Sequence, residues 1–327
     1  MSSAVPRRRI LVASVVAGIA LPTRAFAEPK RRVYRVGVLA PDMDPETFAW
    51  KDFVAELSRR GYTEGTNLVL VRPSAGTTDL DRRAAELVKS KVDVIYAEGG
   101  TPGALAAKKA TSTIPIVFLS SADPVGTGIV ESLSRPGGNL TGSSIQYSGT
   151  TQKELQLLAE ASGKLTSMVY LHSANARFRP WFLVGAAARA DAVNALGIRI
   201  QYVEYGAVAE IESTLRRLIR EGVDGAGVLT EYDPDSYRSL AALLIKMRLP
   251  SVGNPADGYL LSYGNSVPEI ARVAAKHVDQ VLQGARPADL PIEQVLAFEL
   301  KINLRTAKAI GLSIPSSVLI QATTLIQ

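Results

Sequence analysis

The chain has 327 residues, 46% of them hydrophobic and 21% charged, with two histidines, no cysteine and a formal net charge of +6. That length and apolar content suit two lobes rather than one small core or a disordered chain. The lack of cysteine excludes a disulfide scaffold, a thiol nucleophile, a thiolate zinc site, an iron–sulfur cluster and a lipid-modified N-terminal cysteine. Two histidines argue against a multi-histidine metal site and leave only carboxylates for magnesium or calcium, so neither a metal nor a cofactor is expected.

The first segment reads as a secretory signal. Arg7, Arg8 and Arg9 precede an apolar run over 10–21, a break at Pro22 and Ala25-Phe26-Ala27, a small-x-small cleavage pattern. The run is too short to span a bilayer. Arg7 to Leu11 also fits the twin-arginine pattern. Residues 1–27 hold four arginines and no acid, which leaves 33 basic against 31 acidic groups and no electrostatic case for nucleic acid.

From Arg35 onward short apolar runs alternate with amphipathic helical stretches. The pattern predicts strands over 36–40, 67–72, 92–97 and 114–119, with helices over 46–60, 81–89, 102–111 and 124–134. A Pro-Gly-Gly-Asn break at 136–139 and an extended run over 140–145 close this series. A second series follows, with helices over 152–161, 180–196, 209–221 and 234–247 and strands over 168–171, 198–205 and 225–229. Two successive βα series imply an α/β protein of two Rossmann-like lobes, each with a parallel sheet, and a cleft between them.

In such sheets ligands bind beyond the carboxyl ends of the strands. Three loops there share one design: Gly99-Gly100-Thr101-Pro102, Ala122-Asp123-Pro124 and Tyr232-Asp233-Pro234 each offer a helix cap followed by proline. Neutral Thr101, beside two glycines that allow close approach, suits a carboxylate or another acceptor-rich group. Asp123 and Asp233 suit an ammonium or hydroxyl donor, and Tyr232 an apolar or aromatic middle. Asp42 after the first strand, Ser121 beside Asp123, and Asn175 after the strand at Leu171 complete the candidates at the strand ends. Gly99-Gly100 matches neither the dinucleotide fingerprint nor the phosphate loop. His277 lies on the apolar stripe of a helix and reads as structural, and His172 has no serine and acid at a telling spacing. No G-x-S-x-G and no H-E-x-x-H occurs, so no catalytic constellation emerges.

Several motifs carry a resemblance. They are the stretch from Phe53 to Gly65, the run from Ala110 to Phe118, Asp123-Pro124-Val125, the stretch from Arg135 to Gly142, Leu261-Ser262-Tyr263-Gly264, the stretch from Phe298 to Leu304 and the tail from Ala307 to Pro315. In these the chain resembles the ABC-transporter substrate-binding protein family that includes tryptophan-type binding proteins, within the type I periplasmic binding fold. Where that family carries an Asn-Pro turn, this chain reads His172-Ser173-Ala174-Asn175.

The resemblance implies three strand crossings, near 142–150, 253–259 and 290–296, forming a three-segment hinge. The expected division is a signal over 1–27, an N-terminal lobe of 34–145 plus 258–290, and a C-terminal lobe of 146–257 plus 291–327. Asp257, at the second crossing, joins the candidate ligand residues. The implied function is an exported, periplasmic, monomeric receptor without enzymatic activity. It closes over a small amino-acid-like solute or related small acid and hands it to an ABC permease in the membrane. Two alternatives stand beside it: a secreted α/β enzyme such as a hydrolase using Asp42, Asp123 or Asp233, and a ligand sensor for a membrane kinase with the same fold.

Overall fold

A computed structural model describes residues 1, 32–40, 49–73, 79–121, 123–145, 147–174, 189–190, 194–229 and 234–327. Apart from isolated positions, the expected signal, the Asp42 loop, the Asn175 turn, the helix over 180–196 and the Tyr232-Asp233 loop lie outside the described residues. The first series comprises β1 (Tyr34–Leu39), α1 (Trp50–Arg59), β2 (Leu68–Val71), α2 (Leu80–Lys89), β3 (Val94–Ala97), α3 (Gly100–Ala110), β4 (Ile116–Ser121) and β5 (Leu140–Ser144). The second comprises α4 (Tyr147–Ser162), β6 (Ser167–Ser173), β7 (Arg199–Tyr205), α5 (Val208–Arg220), β8 (Gly225–Leu229), α6 (Pro234–Lys246), β9 (Ser251–Val252) and β10 (Leu261–Asn265). Then come α7 (Val267–Leu282), β11 (Glu293–Gln294), β12 (Phe298–Asn303), α8 (Leu304–Ile310), α9 (Ser316–Leu319) and β13 (Thr324–Ile326).

These strands form two sheets. The first runs β11-β5-β4-β3-β1-β2 and is wholly parallel. The second runs β13-β12-β10-β9-β8-β6-β7 and is parallel except where β10 meets β12. That antiparallel junction departs from the expectation of a parallel sheet, and it follows from the late return of the chain to this lobe. From Val36 to Leu39 of β1 and throughout β3 both faces are buried, which is why these stretches read as unbroken apolar runs rather than alternating ones. One face packs on α1 and α7 through Phe53, Leu57, Val273 and Val278; the other packs on α2 and α3 through Leu87 and Ala104.

The lobe boundaries differ from the expected ones. The sequence returns 258–290 to the first lobe, yet β10 stays in the second sheet, paired with β9 and β12. Asn254 caps a 3-10 turn over Pro255–Asp257, and Gly258, at φ 108°, reverses the chain straight back into that sheet. The crossing therefore falls between Asn265 and Val267. From there α7 packs against α1, and Asp279 accepts from the Tyr62 hydroxyl at 2.8 Å. The third crossing is also later than a boundary at 291, because Glu293 and Gln294 pair with Ser143 and Ser144 of the first sheet.

The helix expected over 124–134 is instead a series of turns. Gly126 and Gly128 weaken helix propensity there. The Asp123 carboxylate accepts from the Gly126 amide at 2.8 Å, fixing a tight turn, and Gly128 takes φ 71°.

Each lobe ties its first strand with the same device. Asp93 accepts from the Arg35 amide at 2.7 Å, and Asp224 accepts from the Thr166 and Ser167 amides at 2.9 Å, the partners being 58 and 57–58 residues apart. Burial pushes the Asp224 carboxyl up, but the Ser167 and Thr166 amides and the Thr166 hydroxyl outweigh it and hold the group below the usual carboxylate range. A carboxyl so depressed stabilises the fold above its unfolded pKa and loses that contribution as pH falls through the folded value. Asp224→Ala is expected to cost about 1.5–3 kcal/mol at pH 7, the scale of hydrogen bonds to a charged group. Urea unfolding at pH 7 and pH 3 checks this: the deficit should shrink at pH 3, and a deficit equal at both values contradicts it.

Candidate functional site

With both faces of the first sheet covered, polar groups reach a ligand only beyond the carboxyl ends of its strands. At the end of β3 the chain reads Glu98-Gly99-Gly100-Thr101. Gly99, not Thr101, caps α3, and Gly100 is its first residue, at φ 58°. Only glycine takes that left-handed conformation without strain. Thr101 consequently lies inside the first turn, 6% exposed. The expectation that it caps the helix is corrected: the cap is a glycine and has no side chain, and Thr101 is buried in the first turn.

The neighbouring β4 ends at Ser121, level with Ser144 of β5. Asp123 follows and is exposed, but its carboxylate is folded onto the Gly126 amide and its carbonyl accepts from the Thr127 amide at 3.0 Å. It serves its own turn. Asp257 is likewise engaged locally, accepting from the Asn254 side chain at 2.6 Å, with Arg238 3.9 Å away. Gly99, Gly100, Thr101, Ser121 and Asp123 thus share adjacent strand ends of the first lobe, whereas Asp257 belongs to the second. Asp42, Asn175, Tyr232 and Asp233 lie outside the described residues.

Two carboxyl groups that the sequence analysis does not single out stand apart chemically. Glu98, half-buried after β3, has its carboxyl pushed up to about 7 by burial. No described residue hydrogen-bonds to that carboxylate or pairs with it. In the second lobe Glu154 of α4 is also raised to about 7 by burial, against the opposing pull of Arg189 and of the Tyr263 amide, which donates to it at 3.2 Å. That amide lies on β10 beyond the end of short β9, so Glu154 satisfies a strand donor that the sheet leaves open. Arg189 stacks over the Tyr170 ring at 4.9 Å. The signal for Glu98 was its position, since an acid two residues after Tyr96 on a buried strand continues the same face. Glu154 has no such signal, because its neighbours Lys153 and Gln156 read as an ordinary exposed helix side.

A cavity of about 460 Å³ lies beside the second crossing, between Asp52 of α1 and the Asn254, Tyr263 and Lys301 side of the second lobe. Gly253 precedes Asn254 of that wall, where a Cβ would sit 2.6 Å from the Tyr259 ring and 2.7 Å from the Tyr237 hydroxyl. The same hydroxyl accepts from the Asn254 amide at 2.9 Å. Glu299, on the cavity wall, is occupied by Lys301 at 2.8 Å and Ser266 at 2.7 Å. His277 has the structural role read from its stripe, with its ring nitrogens 2.9 Å from the Val273 carbonyl and 3.2 Å from that of Pro291. Among the described residues no group of three His, Asp or Glu could hold a metal ion, and no helix is long and apolar enough to cross a membrane.

The model of a protein family described as ABC transporter substrate binding protein matches residues 44–326. A tyrosine-binding protein of Clostridioides difficile is 26% identical over 277 residues, 81% of this chain and 76% of that one. The fold is similar to that of an ABC domain from Streptococcus pneumonia in complex with L-Trp, with a TM-score of 0.73 and 23% identity over 90% of this chain and all of that one. It is also similar to a conserved domain protein from Vibrio cholerae, with a TM-score of 0.72 and 25% identity over the same shares.

Burial of Glu98 has a measurable consequence. An acid whose folded pKa lies above its unfolded value holds its proton longer in the native state, so its contribution to stability falls as pH rises from about 4.5 to about 7. Glu98→Gln is expected to stabilise the ligand-free protein by about 1–3 kcal/mol at pH 8 and by almost nothing at pH 4. Chemical denaturation at the two pH values measures the difference; an unchanged or lower stability at pH 8 contradicts the desolvated carboxylate.

Proposed function

Because the chain belongs to the ABC transporter substrate-binding protein family, we propose that it is the receptor of an ABC importer that closes two lobes over an amino-acid-like solute. It presents that solute to a membrane permease and carries out no covalent chemistry. The observation that carries the solute class is the juxtaposition, within residues 98–101, of a carboxylate and the N-terminal end of α3. An α-amino acid places opposite charges equally close together. Its carboxylate would meet the helix start at Gly99-Gly100, where the macrodipole favours negative charge, and its amine would face acid. The tyrosine-binding relative and the L-Trp complex of similar fold support the same class.

Ser121 and Asp123 form the rim at the next strand end. Asp42, Asn175, Tyr232, Asp233 and Asp257 complete the cleft in this reading, with Tyr232 against the apolar part of the solute. The basic start, apolar run and Ala25-Phe26-Ala27 pattern support export, and the protein acts as a monomer on the periplasmic side.

Closure and mass action give the test. Adding L-tyrosine or L-tryptophan at saturation should raise the melting temperature and reduce the radius of gyration in small-angle scattering. A raised melting temperature with an unchanged scattering profile contradicts lobe closure, and no response to either amino acid contradicts the solute class.

A further inference from the structure

We propose that Glu98 and the Tyr96 hydroxyl together form the subsite for the cationic amine of the solute, so that the receptor selects amine-bearing acids against their des-amino counterparts. This rests on the reading of the chain as a receptor for amino-acid-like solutes and names the residues that carry its charge selectivity.

Tyr96 and Glu98 are two residues apart along the β3 direction and continue one face. The Tyr96 ring stacks on Phe53 with centroids 3.9 Å apart and planes 6° from parallel, which fixes where its hydroxyl lies. That hydroxyl is buried and has no hydrogen-bond partner. Such groups are rare in native proteins because each costs its desolvation. Glu98 is without a described donor or cation, and its charge acts on Tyr96. Two described charges of the first lobe are committed elsewhere. Arg72, following β2, lies over the Trp50 ring at 4.7 Å, and Asp123 is held by the Gly126 amide.

One ammonium satisfies both orphans, since it carries three donors and a positive charge. One N–H would go to the Glu98 carboxylate as a charge-assisted bond and another to the Tyr96 oxygen. A des-amino acid brings neither donor nor cation, leaves Glu98 buried and unpaired, and adds a second negative charge at the cleft. Sequence grounds give this role to Asp123 and Asp233; Asp123 is engaged by its own turn, and the subsite adds Glu98.

Titration calorimetry on the full chain tests the subsite with four probes: L-tyrosine, L-tryptophan, 3-(4-hydroxyphenyl)propionate and 3-(indol-3-yl)propionate. The amino acids should bind at least tenfold more tightly than the des-amino acids at pH 8. Because the amine is paired with ionised Glu98, their affinity should be about tenfold higher at pH 8 than at pH 6. Glu98→Gln should abolish that pH dependence and cost at least tenfold in amino-acid affinity at pH 8, while binding the des-amino acids at least as well as the parent does, because the like charge is gone. Tyr96→Phe should fold as well as the parent, since it deletes only an unpaired hydroxyl, and should weaken the amino acids several-fold. It keeps the test decisive if Glu98→Gln does not fold. Equal affinity of the parent and both variants for the amino acids overturns the subsite, as does a preference of the parent for the des-amino acids; solute capture survives either result. Failure of all four probes to bind the parent overturns the amino-acid-like reading and the subsite together.

Discussion

Burial of both faces of the first sheet is the constraint from which the rest follows. Parallel strands covered by α1 and α7 on one face and α2 and α3 on the other cannot present charge along their length. Polar chemistry is therefore confined to the residues that emerge at the carboxyl ends. There, burial fades rather than stops: Glu98, one residue past β3, is half-buried. A carboxylate in that position without a cation is unstable on its own and is made stable by a partner from outside. The same geometry that builds a rigid lobe thus leaves one charge for a solute to complete.

The two lobes solve the same folding problem with the same parts. Asp93 and Asp224 each stand before an inner strand and clamp the first amides of the neighbouring one. The lobes then diverge at their late strands. β10 and β12 close the second sheet in antiparallel fashion, while α7 and β11 return to the first. The chain passes between the lobes three times, and the cavity beside the second passage is bounded by Asp52 of one lobe and Asn254 and Tyr263 of the other.

Much of this was legible in the sequence because the cores are uniform. Val36 to Leu39 and Gly225 to Leu229 read as buried strands, and the helix of His277 reads as a structural stripe, since apolar periodicity reports burial directly. The failures share a different cause. The helix expected over 124–134 gives way to turns because the Asp123 side chain satisfies the Gly126 amide, a local bond that no periodicity encodes. Thr101 loses the cap to Gly99 because a left-handed Gly100 shifts the helix start by two residues. The second crossing lies later than Gly258 because a 3-10 turn returns the chain to its own sheet. Candidate acids were chosen by loop position, which finds Asp123 but passes over Glu98. What distinguishes Glu98 is desolvation with no partner among the described residues, which its position after Tyr96 does not encode.

The central claim is that half-buried Glu98, with no described partner, gives up its proton to accept the solute's amine. Proton exchange on binding measures it directly, by calorimetry at pH 6.5 in two buffers of different ionisation enthalpy. With a ligand-free value of about 7, L-tyrosine binding should release about three-quarters of a proton, and Glu98→Gln should release none. Binding without proton exchange in the parent protein, or the same release in Glu98→Gln, would contradict the account.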